Sequence, residues 1–219
     1  MKIMFPPLSE PFIIYDDYVN QIVIESPRLM YTLVGELYKQ INKSDGSIVL
    51  SDKDAIIDIA KKVDLTTDFF PFEINRKPLV TKLLSCIKEY AVSDYIHETN
   101  LIASEIERYI IDVSDCVNCE IVFDNIDTAG LLKASNVRFA DNNDLLSERI
   151  IDYCKNNVNL LGDKVFVFVS LRNYLDKEEF EQFCRMAIDN KLIIMLIESC
   201  EYRAPYLNTL VIDEDDCVI

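Results

Sequence analysis

Two unbroken apolar runs near the C-terminus give the strongest structural signal in the chain. Residues 164–169 (KVFVFV) and 192–197 (LIIMLI) are rich in β-branched and aromatic side chains, as are strands that are buried on both faces of a parallel sheet. Between them, residues 176–188 have helical periodicity, with Asp176 placed to cap the helix and Glu179 three positions later. The stretch therefore predicts a β-α-β unit with parallel strands.

Shorter strands and an amphipathic helix are predicted near the N-terminus. Apolar segments bounded by turn residues predict strands at residues 2–5, 11–15, 21–25 and 48–50. Ser26 and Pro27 then open a helix, because serine caps helix N-termini and proline is tolerated at the first helical position. Its apolar residues recur at helical spacing: Leu29, Met30, Leu33, Val34, Leu37, Tyr38 and Ile41. A further helix is predicted near residues 53–62.

Helices dominate the middle of the chain. The pattern predicts them at residues 78–90, 99–113, 125–136 and 143–157. The second of these carries a narrow apolar stripe suited to a partner helix: Ile102, Ile106, Tyr109, Ile110 and Val113. Short strands are expected at residues 121–123 and 209–212. The sequence thus predicts an α/β head domain formed by residues 1–77 and 140–219, interrupted by a helical leg formed by residues 78–139.

The scaffold is typical of nucleotide-binding proteins, but the sequence lacks the means to hold a nucleotide. It contains four glycines, Gly35, Gly46, Gly130 and Gly162, and no two of them are close together. Neither the P-loop motif nor the dinucleotide-binding glycine motif can therefore be written. The single histidine, His97, excludes His-pair sites, and no hydrolase, zinc-protease or kinase signature occurs. We predict that the chain is not an enzyme, since a residual nucleotidase would rest on fold analogy alone.

The net charge of −16 is the strongest global constraint on function. It opposes non-specific binding to nucleic acid, because that binding depends on Lys and Arg side chains that replace condensed counterions. If the protein binds DNA, its 22 basic residues must be gathered on one surface. Otherwise it attracts cations, or it is an acidic interaction protein that mimics DNA and occupies a basic partner.

Cysteine usage and hydropathy predict a cytoplasmic protein. Seven cysteines at irregular spacing do not form a secreted disulfide framework, so reduced and mostly buried thiols are expected. The one close pair, Cys116 and Cys119, cannot complete a structural zinc site without further Cys or His ligands. No apolar run is long enough to span a bilayer, and the N-terminus lacks the pattern of a signal peptide. The acidic residues 213–216 are interpreted as a solubilising tail.

Charges in the predicted leg are segregated. The segment 76–88 holds four basic residues and no acid: Arg76, Lys77, Lys82 and Lys88. The segment 109–132 holds five acids and no base: Asp112, Asp115, Glu120, Asp124 and Asp127. One interpretation is a phosphate-contacting face beside a Ca²⁺ site, because Ca²⁺ takes several oxygen ligands. The other is two solvated faces, with Asp124 or Asn125 capping the next helix.

Several sequence blocks resemble one known family in the family's own order. The opening block is residues 1–11 (MKIMFPPLSEP), residues 67–75 (TDFFPFEIN) are similar to a T-D-I-L-G-Y-D-I-N block, residues 133–139 (KASNVRF) to I-K-A-L-G-V-R-I, and residues 165–179 to a strand followed by a helix start. The family is the small accessory protein of type II-A CRISPR spacer acquisition, whose members form rings and bind DNA ends. Family residues at three positions are replaced here, by Pro71, Asn136 and Val169.

The resemblance implies an architecture and a function. The implied fold is an α/β head that is related to P-loop ATPases but lacks the nucleotide motif, together with a helical leg. The implied assembly is a homotetrameric ring stabilised by Ca²⁺, whose basic inner surface encircles double-stranded DNA loaded from free ends. It would act without chemistry of its own, alongside the CRISPR integrase pair and the effector nuclease. An acidic exterior around a basic lumen would reconcile DNA binding with the charge of −16.

The matching positions name candidate site residues. Lys133 and Arg138 are the leading candidates for contact with DNA, and Lys39 and Lys82 are weaker ones. The basic strip adds two more, Arg76 and Lys77. The acidic leg region of the family corresponds to the candidate calcium ligands Glu120, Asp124 and Asp127.

Overall fold

A computed structural model of the chain describes residues 1–53, 55–117 and 121–219. The chain divides into two compact units. The first, here called the head, comprises Met1–Ile74 and Asp141–Ile219, and the second, here called the helical unit, comprises Asn75–Ala140. The domain boundaries predicted above were 77/78 and 139/140.

The described strands and helices follow one another along both units. The strands are β1 (Lys2–Met4), β2 (Phe12–Ile13), β3 (Val19–Ile24), β4 (Val49–Asp52), β5 (Ala55–Ile57), β6 (Val63–Thr66), β7 (Val165–Val169), β8 (Ile193–Glu198) and β9 (Leu207–Ile212). The helices are α1 (Pro27–Ile41), α2 (Ile59–Lys62), α3 (Lys77–Val92), α4 (Ile96–Ser114), α5 (Thr128–Ala134), α6 (Leu146–Leu161) and α7 (Lys177–Asp189). The chain is thus a mixture of strands and helices, as the sequence predicts.

A five-stranded parallel sheet of order β6-β7-β8-β3-β9 forms the core of the head. Phe166 and Phe168, which point to the same face of β7, and Val165 and Val167, which point to the other, are all fully buried. Both faces of the strand are therefore covered, which explains the unbroken apolar run. The predicted β-α-β unit is confirmed, since β7 pairs in parallel with β8 across α7.

Predicted helix caps are confirmed at two helices of the head. The Asp176 carboxylate accepts the main-chain N–H of Glu179 at 2.8 Å and begins α7. The Ser26 hydroxyl accepts the N–H of Leu29 at 3.4 Å, with Pro27 at the first position of α1. The apolar face of α1 is narrower than predicted, because the Tyr38 side chain is 63% exposed.

A four-stranded antiparallel sheet of order β2-β1-β4-β5 completes the strands of the head. The helix predicted near residues 53–62 is wrong over its first half, because Ala55–Ile57 pairs with Val49–Asp52 as a hairpin. Only Ile59–Lys62 is helical, after Asp58 caps it. Two adjacent β-branched residues, Ile56 and Ile57, favour the strand over the helix.

One strand of the parallel sheet was not predicted at all. The edge strand β6 has the sequence VDLT, which is short and interrupted by a charged residue. The Asp64 carboxylate accepts a hydrogen bond from the Tyr153 hydroxyl at 2.7 Å, so the charge is accommodated by a side chain of α6. That partner lies 89 positions away, where a pattern in the local sequence gives no sign of it.

The helical unit is built from α3, α4 and α5, and α3 packs against both of the others. The three predicted helices are confirmed, with α5 beginning at Thr128 because Asp127 caps it. The strand predicted at residues 121–123 is wrong, since these residues adopt no regular structure. In α4, which is described over its whole length, no residue is buried, and Tyr109 is 66% exposed. Its apolar stripe is therefore only partly covered by the described chain: Ile106 and Ile110 are half-buried, whereas Ile102, Tyr109 and Val113 are exposed.

Two expectations about the surface are corrected. The acidic run is an ordered turn rather than a tail, because the Asp213 carboxylate accepts the N–H groups of Asp215 and Cys217, and Ile219 bonds back to β9. Thiols are not mostly buried. Of the described cysteines, Cys154 and Cys184 are buried, Cys86 is half-buried, and Cys116, Cys200 and Cys217 are exposed, while Cys119 lies outside the described residues.

Within the described chain, no helix is long and apolar enough to cross a membrane.

A buried carboxyl group ends β8. Glu198 is only 3% exposed, and its side-chain oxygen accepts the main-chain N–H of Arg172 at 3.1 Å. Burial raises the pKa of Glu198 to about 7, although the N–H donors and the charge of Arg172 oppose the rise. The Arg172 guanidinium lies 4.5 Å and 4.7 Å from the ring centres of Phe180 and Tyr202. The Glu198 carboxyl group therefore holds the turn after β7, and its burial disfavours the ionised form of the group.

We expect Glu198→Gln to stabilise the protein at alkaline pH. The pKa rises from 4.5 to about 7 on folding, so between these values the folded state keeps a proton that the unfolded state has lost. Stability therefore falls as pH rises through this window, and the loss is complete above it. Glutamine keeps the acceptor oxygen without the charge, and it should add on the order of 2 kcal/mol near pH 8.

Urea unfolding of the two proteins between about pH 4.5 and pH 8 measures this effect. The advantage of the variant should shrink steadily towards the acid end of the series. Substitution of the exposed Glu10 by Gln is the matched control and should leave the profile unchanged. A Glu198→Gln protein no more stable than the native one near pH 8 would contradict the account.

Candidate nucleic-acid interface

One side chain joins the two ends of the helical unit. The Asn75 amide donates to the Phe139 carbonyl at 3.1 Å, and its oxygen accepts the Phe139 N–H at 2.9 Å. The two residues are 64 positions apart, and the amide pairs with the main chain as a neighbouring strand would. Arg76 and Lys77 follow Asn75, and Arg138 precedes Phe139. The two Asn75–Phe139 hydrogen bonds therefore bring three cationic residues to one end of the unit.

The segment that carries Lys133 and Arg138 is fixed by the end of α5. Lys133 is exposed in the last turn, and its carbonyl accepts the N–H of Asn136 at 3.0 Å. Asn136 has φ 49°, the left-handed conformation that terminates helices and that glycine and asparagine adopt most readily. Asn136 therefore suits this turn, at a position where the resemblance in sequence implies a glycine. Arg138 follows two residues later and is also exposed.

The lysines of α3 lie on different faces of that helix. Lys77 is exposed in the first turn, and Lys88, eleven residues later, returns to nearly the same face because eleven residues make about three turns. Lys82 is half-buried and lies roughly 140° around the helix axis from Lys77. Arg76, the residue before the helix, is half-buried. Lys82 is therefore less suited than Lys77 to a shared phosphate-binding face.

Lys39 lies in the head, whereas the other five predicted DNA contacts lie in the helical unit. It lines a cleft beside α1, where the other charged lining residues within the described chain are Glu25, Glu36 and Asp45. A single cation among three carboxylates is a poor environment for a phosphate group. Among the predicted DNA contacts, Lys39 has the least favourable surroundings.

The predicted calcium ligands do not form a site among the described residues. Asp124 is exposed, and Asp127 is engaged as the cap of α5, since its oxygen accepts the Gly130 N–H at 2.7 Å. Glu120 lies outside the described residues. No three His, Cys, Asp or Glu side chains of the described chain are placed to hold a metal ion. Because Ca²⁺ takes six to eight oxygen ligands, Asp124 and Asp127 would need further donors.

The helix start after β3 offers no phosphate cradle. In nucleotide-binding α/β proteins, this position presents main-chain N–H groups to a phosphate. Here Pro27 has no N–H, the Ser26 hydroxyl is engaged with Leu29, and the Glu25 carboxylate is exposed beside them. The absence of glycine motifs from the sequence is therefore matched by a helix start that lacks a glycine-rich phosphate loop.

The comparisons with known proteins agree with the resemblance seen in the sequence. The model of the CRISPR-associated protein family Cas_Csn2 matches residues 40–216. The chain belongs to the Cas_Csn2 family. This confirms its relation to the accessory protein of type II-A CRISPR spacer acquisition and assigns this Cas_Csn2 protein to the adaptation stage of those systems.

Among solved structures, this Cas_Csn2 protein is similar in fold to Stu0660 of Streptococcus thermophilus. The alignment covers 100% of this chain and 76% of Stu0660, with 15% sequence identity and a TM-score of 0.55. At this identity the likeness concerns the fold. It supports a mixed α/β architecture with a parallel sheet and helices.

Sequence reasoning missed Asn75 as a site residue. The residue belongs to the block 67–75 on which the resemblance was based, but its position just before α3 reads as an ordinary loop or cap residue. Its partner lies at the far end of the insertion, and only the folded chain reveals the pairing. The structure thus brings together Arg76, Lys77 and Arg138, and it leaves Lys82 and Lys39 in other surroundings.

We expect the double substitution Lys133→Ala/Arg138→Ala to weaken binding to all duplex sequences alike. Each lost phosphate contact should reduce the slope of log affinity against log salt by about one, so the pair should reduce it by about two. Asn75→Ala should weaken binding with no change of charge, because it releases Arg138 from the end that holds Arg76 and Lys77. Fluorescence anisotropy with a labelled duplex at several salt concentrations measures both effects.

The matched control is Lys155→Ala/Lys177→Ala, which removes the same charge from exposed positions of the head. This control should bind DNA nearly as the native protein does. Equal losses in the control and in the Lys133/Arg138 variant would show that only total charge matters. Unchanged affinity in the Lys133/Arg138 variant would remove these residues from the interface.

Proposed function

We propose that this protein is a non-enzymatic clamp on double-stranded DNA ends that assists the capture of new spacers. The observation that carries the proposal is that the Asn75–Phe139 hydrogen bonds gather Arg76, Lys77 and Arg138 at one end of the helical unit. A chain of net charge −16 can bind phosphates only if cationic residues are concentrated in this way. Contacts of this kind bind the backbone of any duplex, so sequence readout is weak.

The clamp would work as a homotetrameric ring. The exposed apolar stripe of α4 supports this assembly, because Ile102, Tyr109 and Val113 are each about half or more exposed in the single chain. Apolar side chains that stay exposed on a helix are stabilised when a further helix covers them. A second copy of the chain supplies such a helix, and a closed ring would keep the basic ends inside and the acidic surface outside.

The head is proposed to be related to P-loop ATPases without their activity. The five-stranded parallel sheet and the strand-to-helix passage from β3 to α1 support the relation. Pro27 and the exposed Glu25 argue against phosphate binding there. The residual nucleotidase is therefore the weakest of the functional hypotheses.

Calcium is proposed as a structural ion of the assembly. Asp124 and Asp127, with Glu120, would supply carboxylate oxygens to a Ca²⁺ ion. The positive charge of the ion would offset the repulsion between acids that assembly brings together. Since Asp127 also caps α5, the set is incomplete within the described part of one chain. The remaining oxygens would come from other acids or from a second copy.

An acidic interaction protein that mimics DNA is the second candidate. The charge of −16 favours it, and the basic end of the helical unit favours the clamp. Membership of the Cas_Csn2 family supports action with other CRISPR proteins, and we propose the integrase pair and the effector nuclease as partners in the cytoplasm. Direct binding to duplex DNA near physiological salt would exclude the mimic.

We expect calcium to control both assembly and DNA binding. With Ca²⁺, light scattering should give a mass near four times 25.3 kDa, and duplexes of unrelated sequence should bind equally. A chelator should lower both the mass and the affinity, and Mg²⁺ should not replace Ca²⁺, because it requires a smaller and more regular ligand set. Asp124→Asn should raise the calcium concentration required, with Asp94→Asn, at an exposed turn, as the control.

A chain that stays monomeric with Ca²⁺ and still binds duplexes with full affinity would contradict the ring. A protein that binds no duplex under any of these conditions would favour the acidic interaction protein instead. Equal effects of Asp124→Asn and Asp94→Asn would remove Asp124 from the proposed calcium site.

A further inference from the structure

A cleft of about 950 Å³ opens in the head along the carboxyl ends of the parallel strands. Its lining includes Ile24 at the end of β3, Leu65 in β6, Val169 at the end of β7 and Ser199 after β8. In open α/β sheets, binding crevices form at this edge. The other wall is α1, and the whole cleft lies within the head.

The wall formed by α1 has a notch between two aromatic side chains. Tyr31, Gly35 and Tyr38 lie on one stripe of the helix, because residues four and seven positions apart share a face. The two tyrosines are 83% and 63% exposed, respectively. Between them, Gly35 has no side chain, so the main chain of the helix is accessible from outside.

No neighbour of Gly35 among the described residues requires a glycine at this position. A Cβ atom built there would meet no heavy atom within 4 Å, so no neighbouring group demands the space. Glycine is a weak helix former, and Gly35 lies in the interior of α1. The residue is explained if another molecule approaches the helix closely at this point.

The cleft combines an apolar floor with an acidic rim. Met30, Val34, Leu65 and Val169 are only partly buried and pack at the edge of the head core. The charged side chains among its described lining residues are Glu25, Glu36, Asp45 and Lys39. Three carboxylates against one ammonium favour a cationic occupant over a phosphate or a nucleotide. Pro27, which also lines the cleft, offers no N–H to an anion.

We propose that this cleft docks a basic, amphipathic segment of a protein partner. An Arg or Lys of the segment lies over Gly35 between the Tyr31 and Tyr38 rings, whose faces attract cations. The carboxylates of the rim pair with further basic residues, and an apolar side chain of the segment covers Met30 and Val34. The inference is independent of the DNA-binding proposal, because it uses only the head.

A labelled peptide of about 12 residues, composed of Leu, Ala and Arg in an amphipathic pattern, tests the site by fluorescence anisotropy. It should bind the native protein, and Gly35→Leu should weaken that binding by about tenfold or more, because the leucine fills the notch. Tyr31→Ala and Tyr38→Ala should weaken it as well. A matched peptide with Glu in place of Arg should not bind.

Asn159→Leu is the control, since it adds the same side chain to an exposed position of α6. It should leave peptide binding unchanged.

Gly35→Ala should raise the melting temperature, because alanine favours the helix and its Cβ atom meets no described atom there. DNA affinity should be unchanged in every cleft variant, so a failure of this inference and a failure of the DNA clamp are distinguishable.

Three results would overturn the inference. Equal peptide binding by the native protein and by Gly35→Leu, Tyr31→Ala and Tyr38→Ala would mean general attraction to an acidic surface. Equal binding of the Arg and Glu peptides would remove the charge argument. A change of assembly mass in Gly35→Leu, with no change in peptide affinity, would assign the cleft to contact between copies of the chain.

Discussion

Two hydrogen bonds from one asparagine side chain fix the ends of a long insertion. Asn75 and Phe139 are 64 positions apart, and closing a segment of that length loses conformational entropy that local contacts must offset. In the head, Arg149 performs a similar task, because its guanidinium bonds to the Phe72 carbonyl at 2.6 Å and to the Asp141 carboxylate at 2.8 Å and 2.9 Å. The chain therefore leaves and re-enters each unit at points held by directional hydrogen bonds.

This closure gives an acidic protein a basic end. Arg76 and Arg138 belong to distant parts of the sequence, and neither could form a phosphate-binding surface alone. Because Asn75 joins the two ends, Arg76 and Arg138 lie at the same end of the helical unit, where we propose that they contact one ligand. In the proposed ring, this arrangement would place cationic residues against DNA and leave the remaining surface acidic.

The sequence predicts best where a signal is local. The apolar runs of β7 and β8 and the caps at Ser26 and Asp176 depend on neighbouring residues, and all are found in the structure. The strand β6 escaped prediction because the charge of Asp64 is accommodated by Tyr153, 89 positions away. The hairpin at Ala55–Ile57 escaped because its pairing competes with a weak helical pattern.

The same distinction applies to the candidate interface. Lys133 and Arg138 could be named from a matching segment, but the association of Arg138 with Arg76 and Lys77 depends on the Asn75–Phe139 hydrogen bonds, which are a tertiary contact. The cleft of the head was equally invisible in the sequence, because its lining comes from α1 and from the ends of four strands. Composition gave the charge of the protein but could not give its distribution.

The most direct test of the clamp compares one DNA molecule in linear and covalently closed circular form, each with calcium and with a chelator. A ring that loads from free ends should shift the linear form in a gel, only when calcium is present, and leave the closed circle unbound. Equal binding to both forms would contradict the account, because it would mean that the basic end acts as an open surface rather than as the lining of a closed ring.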